Sequence, residues 1–127
     1  MELRLVLTVA DFEQALAFYR DALGLEELPA WEDQEGRVAI LDAGRATLEL
    51  VDEGQAEAID RIEVGRRVAG PVRVAFQVAD SDATAGRLVA AGAELIAGPV
   101  TTPWNDRNVR LHAPDGTQLT LFSPAEV

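Results

Sequence analysis

The sequence repeats itself. Residues 3–13 read LRLVLTVADFE and residues 72–82 read VRVAFQVADSD. In both stretches an Arg stands second, apolar residues alternate with others, and the segment closes on Val-Ala-Asp. Alternation of this kind is the period of a β-strand with one face against a core, and an Asp at its end is a favoured helix cap. A chain built from two copies of one unit must give equivalent residues equivalent surroundings. This duplication limits the possible folds more than any other feature.

In the first copy Leu3, Leu5, Leu7 and Val9 share one strand face, and Arg4, Val6, Thr8 and Ala10 the other. Asp11 then caps a helix, with Gln14 three places on in the manner of a capping box. Phe12, Ala15, Leu16, Tyr19, Ala22 and Leu23 make one apolar stripe that ends at Gly24. Three more strands are predicted over 26–31, 37–41 and 46–51, separated by the polar turns EDQEG and DAGR. The second copy repeats the order: a strand over 72–79, a helix capped by Asp80 and running to about 91, then strands near 94–97, 108–112 and 118–122, the last two joined by the PDG turn at 114–116.

Each half therefore reads as β-α-β-β-β, and the fold class as α+β. A first module is expected over 1–52, a linker over 53–70 and a second module over 71–124, all in one domain of 127 residues. The linker carries mixed charge and glycines; residues 56–63 could make two helical turns, but the stretch reads best as a surface connection. A four-stranded half with one helix cannot close its own sheet. The halves are expected to curl together into a cup, which a second chain could complete.

Composition removes several functions. The net charge of −11 argues against nucleic acid or anionic membrane as a partner. The absence of cysteine excludes disulfides, thiolate nucleophiles and iron–sulfur clusters. No apolar run approaches the roughly 18–20 residues that span a bilayer, and Met1 leads straight into a strand, which together predict a cytoplasmic protein.

The pattern V-A-D-F-x-x-A-L-A-F-Y-R-D-x-L-G-L at 9–25, with the late P-D-G-x-x-L-x-L-F, resembles the vicinal oxygen chelate superfamily of glyoxalases, extradiol dioxygenases and bleomycin-binding proteins. The resemblance implies two βαβββ modules in a U-shaped mixed sheet around a ligand cavity, commonly in a dimer. It does not imply one activity. Metal-using members hold the ion with four residues. By the resemblance those positions fall on Arg4, Glu49, Arg73 and Thr120, so only one keeps a ligand. A guanidinium has no lone pair to give a metal, and the only histidine, His112, is expected at a loop or rim. No metal and no cofactor are expected.

Alternation places Arg4, Val6 and Thr8, Arg73, Ala75 and Gln77, Thr47, Glu49 and Val51, and Gln118, Thr120 and Phe122 on the cup side. The expected ligand-binding set is Arg4, Thr8, Glu49, Arg73, Gln77, Trp104, Asn105 and Thr120. Trp104 lies in a loop after Pro103, with Asn105 and Arg107 as edge donors, and Trp31 at a strand end could border the cavity. Arg4, Glu49 and Arg73 form either a structural ion network or the grip for a small anion such as a carboxylate or enolate. Three functions follow: a metal-independent small-molecule binder that sequesters a toxic compound; a glyoxalase-like lyase or isomerase with Glu49 as catalytic base and Arg4 or Arg73 stabilising an enolate; and a structural dimer module without ligand.

Overall fold

A computed structural model describes residues 1–125. Eight strands form one mixed sheet: β1 (Leu3–Thr8), β2 (Glu26–Leu28), β3 (Val38–Asp42), β4 (Thr47–Val51), β5 (Val72–Gln77), β6 (Glu94–Thr101), β7 (Asp106–His112) and β8 (Gln118–Pro124). Their order, β2-β3-β4-β1-β5-β8-β7-β6, is a βαβββ unit followed by its mirror in order. In each half the first strand runs parallel to the fourth, β1 with β4 and β5 with β8. The halves meet where β1 and β5 pair antiparallel, from Leu3 opposite Phe76 to Leu7 opposite Val72.

Three helices complete the chain: α1 (Phe12–Leu16), α2 (Glu53–Glu63) and α3 (Ser81–Ala90). Each starts on an Asp whose carboxylate accepts the amide of the third residue on: Asp11 from Gln14, Asp52 from Gln55, and Asp80 from Ala83. Such caps contribute about 0.5–2 kcal/mol each. α1 packs on one face of the sheet, where Phe12 and Leu16 meet Leu41, Leu48 and Leu50, with Leu5 and Leu7 beside them. α3 packs on the same face of the other half, through Ala85 and Leu88 against Val109, Leu111 and Leu121.

Beyond Leu16 the first helix widens into a π-helical turn over Ala17–Ala22, closed by the Leu23 amide on the Phe18 carbonyl at 2.9 Å. The wider turn carries Leu23 off the expected apolar stripe, and it is 63 % exposed. Tyr19 stays packed against the core.

The opposite face of the sheet is concave and holds α2. This helix touches β4 and also β6 and β7, although β4 and β6 stand five strand steps apart, roughly 24 Å in a flat sheet. Only a curled sheet brings both within reach of one short helix. The outermost loops also meet: the rings of Trp31, beyond β2, and Trp104, beyond β6, stack with centroids 5.2 Å apart. The expected surface linker over 53–70 is thus corrected. Its first eleven residues are a helix whose Gln55, Ala56, Ile59, Asp60 and Glu63 are buried in the cup. Elsewhere strand bounds move by a few residues, most at β6, which continues to Thr101 through register shifts.

Candidate functional site

The cup floor is built by strand register. Val6 on β1 lies opposite Glu49 on β4, and its counterpart Ala75 on β5 lies opposite Thr120 on β8. Arg4 and Arg73 stand at matching positions of the two first strands. The duplication therefore brings Arg4, Glu49, Arg73 and Thr120 to one cleft, together with Trp31, Ile59, Glu63, Trp104, Asp106, Asn108 and Phe122.

Within the cleft the polar groups are unevenly paired. Arg73 is buried and its Nη1 donates to Thr120 Oγ1 at 2.6 Å. Arg4 donates from Nε to Glu2 Oε2 at 2.5 Å, and its guanidinium carbon lies 4.8 Å from the centre of the Phe122 ring, a cation–π distance. Glu49 is 4 % exposed. Among the described residues its only ion pair is a long one, 3.8 Å to Arg4 Nη1. Burial pushes the Glu49 carboxyl above its ordinary pKa, against the opposing pull of Arg73 and Arg4. Burial likewise lowers the pKa of Arg73, with repulsion from Arg110 adding to it; a guanidinium keeps its charge regardless. At the mouth, burial raises the Asp106 carboxyl while Arg4 opposes the shift. Asn108 donates Nδ2 to Glu63 at 3.0 Å, but its buried Oδ1 has no partner.

One wall is the linker helix, held by a second charge cluster that the sequence reading did not identify. The Arg110 side chain is fully buried on β7. It donates to Asp60 Oδ1 at 2.8 Å, to Glu63 Oε1 at 3.1 and 3.2 Å, and to Gln118 Oε1 at 2.8 Å. Asp60 Oδ2 in turn accepts the amides of Val68 and Ala69 at 2.7 and 2.8 Å and Arg67 Nη1 at 2.9 Å. Burial opposes ionisation of Asp60, but those amides and Arg110 outweigh it and hold its carboxyl below the ordinary range. Breaking one partner out of such a buried pair costs about 3–5 kcal/mol. An aromatic stack such as Trp31–Trp104 adds only about 0.5–1.5 kcal/mol beyond its buried area.

Three of the expected site residues lie elsewhere. Thr8 borders a surface groove with Glu53, Arg67 and Pro71; Gln77 lies at an outer hollow with Met1, Asp80 and Arg87; and Asn105 is exposed at φ 67° in the β6–β7 turn, near Asp82 and Arg107. Alternation assigns a strand residue to a face, not to a place along the strand. Thr8 and Gln77 close their strands, past the end of the cup. Arg107 pairs with Asp82 rather than with the cleft. His112 ends β7 beside the PDG turn, in a crease with Glu94 and Pro114. Asn108 and Arg110 alternate with Val109 and Leu111 in β7, the signal that would have put them in the cup.

The free volume of the cleft is about 30 Å³. That admits a water or two, against roughly 300–1,000 Å³ for a pocket that takes a drug-sized ligand.

A curled sheet of two βαβββ modules around a polar-floored cleft defines a class of folds made by duplication. The chain belongs to the glyoxalase/bleomycin resistance protein/dioxygenase superfamily, whose family profile matches residues 3–121. Solved structures share the fold. A hypothetical protein of Bacillus halodurans C-125 is 20% identical with TM-score 0.71, covering 98% of this chain and 94% of its own. Methylmalonyl-CoA epimerase of Mycobacterium tuberculosis is 25% identical with TM-score 0.68, covering 97% and 87%. A superfamily member of Vibrio splendidus 12B01 is 15% identical with TM-score 0.66, covering 96% and 97%. No curated protein matches the chain.

The metal that this family implies does not fit the residues present. Two of the four floor positions are guanidiniums and a third is a threonine engaged by one of them. Among the described residues no cluster of three His, Cys, Asp or Glu is placed to hold an ion. No helix among them is long and apolar enough to cross a membrane.

Proposed function

We propose that the chain is a metal-independent small-molecule-binding protein of the glyoxalase/bleomycin resistance type, which sequesters a compound in the cup. One observation supports the reading: Arg4, Glu49, Arg73 and Thr120, which the resemblance matches to the family's ligand positions, line one cleft and offer hydrogen bonds and charge. In this reading the protein works in the cytoplasm as a homodimer. A thermal-shift screen of cationic antibiotics, small carboxylates and neutral carboxamides tests it. A ligand present at about 100 times its Kd adds about 2.7 kcal/mol of stability. That gain should survive a chelator and, for a carboxylate, vanish in Arg73→Met. No shift with any of these classes, or a shift that requires added zinc, nickel or manganese, overturns the reading.

A second reading is favoured by Glu49 itself. A buried carboxylate with a raised pKa beside two guanidiniums suits proton transfer at a carbon next to a carbonyl, with an arginine stabilising the enolate. Likeness to an epimerase at 25% identity supports the same chemistry. Solvent deuterium entering an α-position of methylmalonyl-CoA or a methylglyoxal–thiol adduct, lost in Glu49→Gln, would establish it.

A further inference from the structure

We propose that the cleft takes a flat ring bearing an uncharged group that both donates and accepts hydrogen bonds, and that this ligand enters by parting Trp31 from Trp104. The inference rests on the binding function proposed above and names its ligand class.

Charge balance argues for the uncharged head. Glu63 faces the cleft but is consumed by Arg110 and Asn108. The remaining charged groups of the lining are Arg4 and Arg73 against Glu49 and Asp106. Glu2, the other partner of Arg4, is about a third exposed, where solvent screens it. A site with two cations and two anions of its own gains nothing from burying a further net charge, whose desolvation has no counter-ion left to offset it. This replaces the small anion expected from the sequence, which counted Arg4, Arg73 and Glu49 without Asp106.

Unfilled hydrogen-bond groups argue for a head of both kinds. Asn108 Oδ1 is a buried acceptor with no partner, on a residue 5 % exposed. Arg73 gives one N–H to Thr120, out of the five that a guanidinium carries. A carboxamide meets both needs within one small planar group.

The door follows from the small free volume of the cleft, about 30 Å³, too little to seat a ring unless a wall moves. The helix wall is fixed at Asp60 and Glu63 by Arg110, which has no exposure at all. The two indoles have no buried ion pair of that kind: they are held by packing against Val6, Val51, Ala56 and Ile59 and by a hydrogen bond from Trp31 to Asp33. Both are only partly buried, both sit outside the regular strands, and they join the two outermost rims of the sheet by a near-parallel stack, 11° between planes. Parting them exposes two flat faces against which a ring can lie.

The chain has two tryptophans, so their stack is visible in the near-ultraviolet circular dichroism of the whole protein. Benzamide, benzoate and benzamidine present one ring with a neutral, an anionic and a cationic head. Saturable loss of the indole couplet is expected with benzamide at a concentration at least about tenfold below that needed for either ion, with the helical signal unchanged. Glu49→Gln, which leaves the lining net positive, should move the preference to benzoate, and Arg73→Met should move it to benzamidine. A wild-type preference for either ion overturns the proposal, as does saturable binding of benzamide that leaves the couplet intact, or no saturable change with all three. The chelator-controlled thermal screen decides separately whether the cup binds small molecules, so the ligand class can fail while that function stands.

Discussion

Two clusters of buried charge share the concave face, and they are built differently. Around Arg110 every group is matched: two carboxylates, a side-chain carbonyl and a guanidinium lock together, with two backbone amides closing on Asp60. Around Glu49 the nearest cation is 3.8 Å away, one arginine leans on a threonine and another reaches toward Glu2. Full pairing is what a buried ion network needs to hold a structure together. Loose pairing leaves groups free for something else. The contrast separates scaffold from site within a few strands.

The largest test of this division is Arg110→Met, which strands Asp60 and Glu63 in the cup. Unfolding by urea should show a loss of about 3–5 kcal/mol; a loss below about 1 kcal/mol would mean that the knot does not hold α2 in place. Asp60 and Glu49 then make a paired test of opposite sign. The folded pKa of Asp60 is lowered, so its contribution is present above the unfolded value of about 3.9 and is lost as pH falls through the folded one. Asp60→Asn should cost about 1.5–3 kcal/mol at neutral pH and flatten the acid limb. The folded pKa of Glu49 is raised, so the folded state binds its proton more tightly: stability is highest below the unfolded value and declines as pH rises through the folded one. Glu49→Gln should therefore leave stability at neutral pH unchanged or higher, read from the same unfolding curves, while changing which ligand the cleft prefers. The smallest effect belongs to the rim. Glu2→Gln, which removes the solvent-side partner of Arg4, should change stability by about 0–1 kcal/mol.

Much of this arrangement was legible in the sequence because duplication and alternation act locally. The repeated V-A-D segments marked both first strands and both of their helices. The two-residue period then put Arg4, Glu49, Arg73 and Thr120 on one face, where register brings them together. What escaped the reading was set by pairing rather than by hydrophobicity. Half of the buried side of α2 is polar, Gln55, Asp60 and Glu63 beside Ala56, Ala58 and Ile59, so its apolar stripe is broken. Asp52 and Gln55 did carry the same capping pattern as Asp11 and Gln14. Arg110 drew no reading because its partners, Asp60 and Glu63, come from α2, far off in the sequence. Thr8, Gln77 and Asn105 were assigned to the cup from face or neighbourhood, while the curl of the sheet decides which strand ends reach it. Leu23 missed the core because the π turn changed the helical count beneath it.

The seam between β1 and β5 has a consequence for association. Each chain carries both mating edges, so a first half can close on its own second half or on that of a neighbour, as in domain swapping. The segment 52–71 decides the contest by keeping the two edges at an effective concentration on the order of millimolar. In dilute protein the single-chain closure prevails, and a nick between Gly65 and Gly70 would hand the choice to how crowded the solution is.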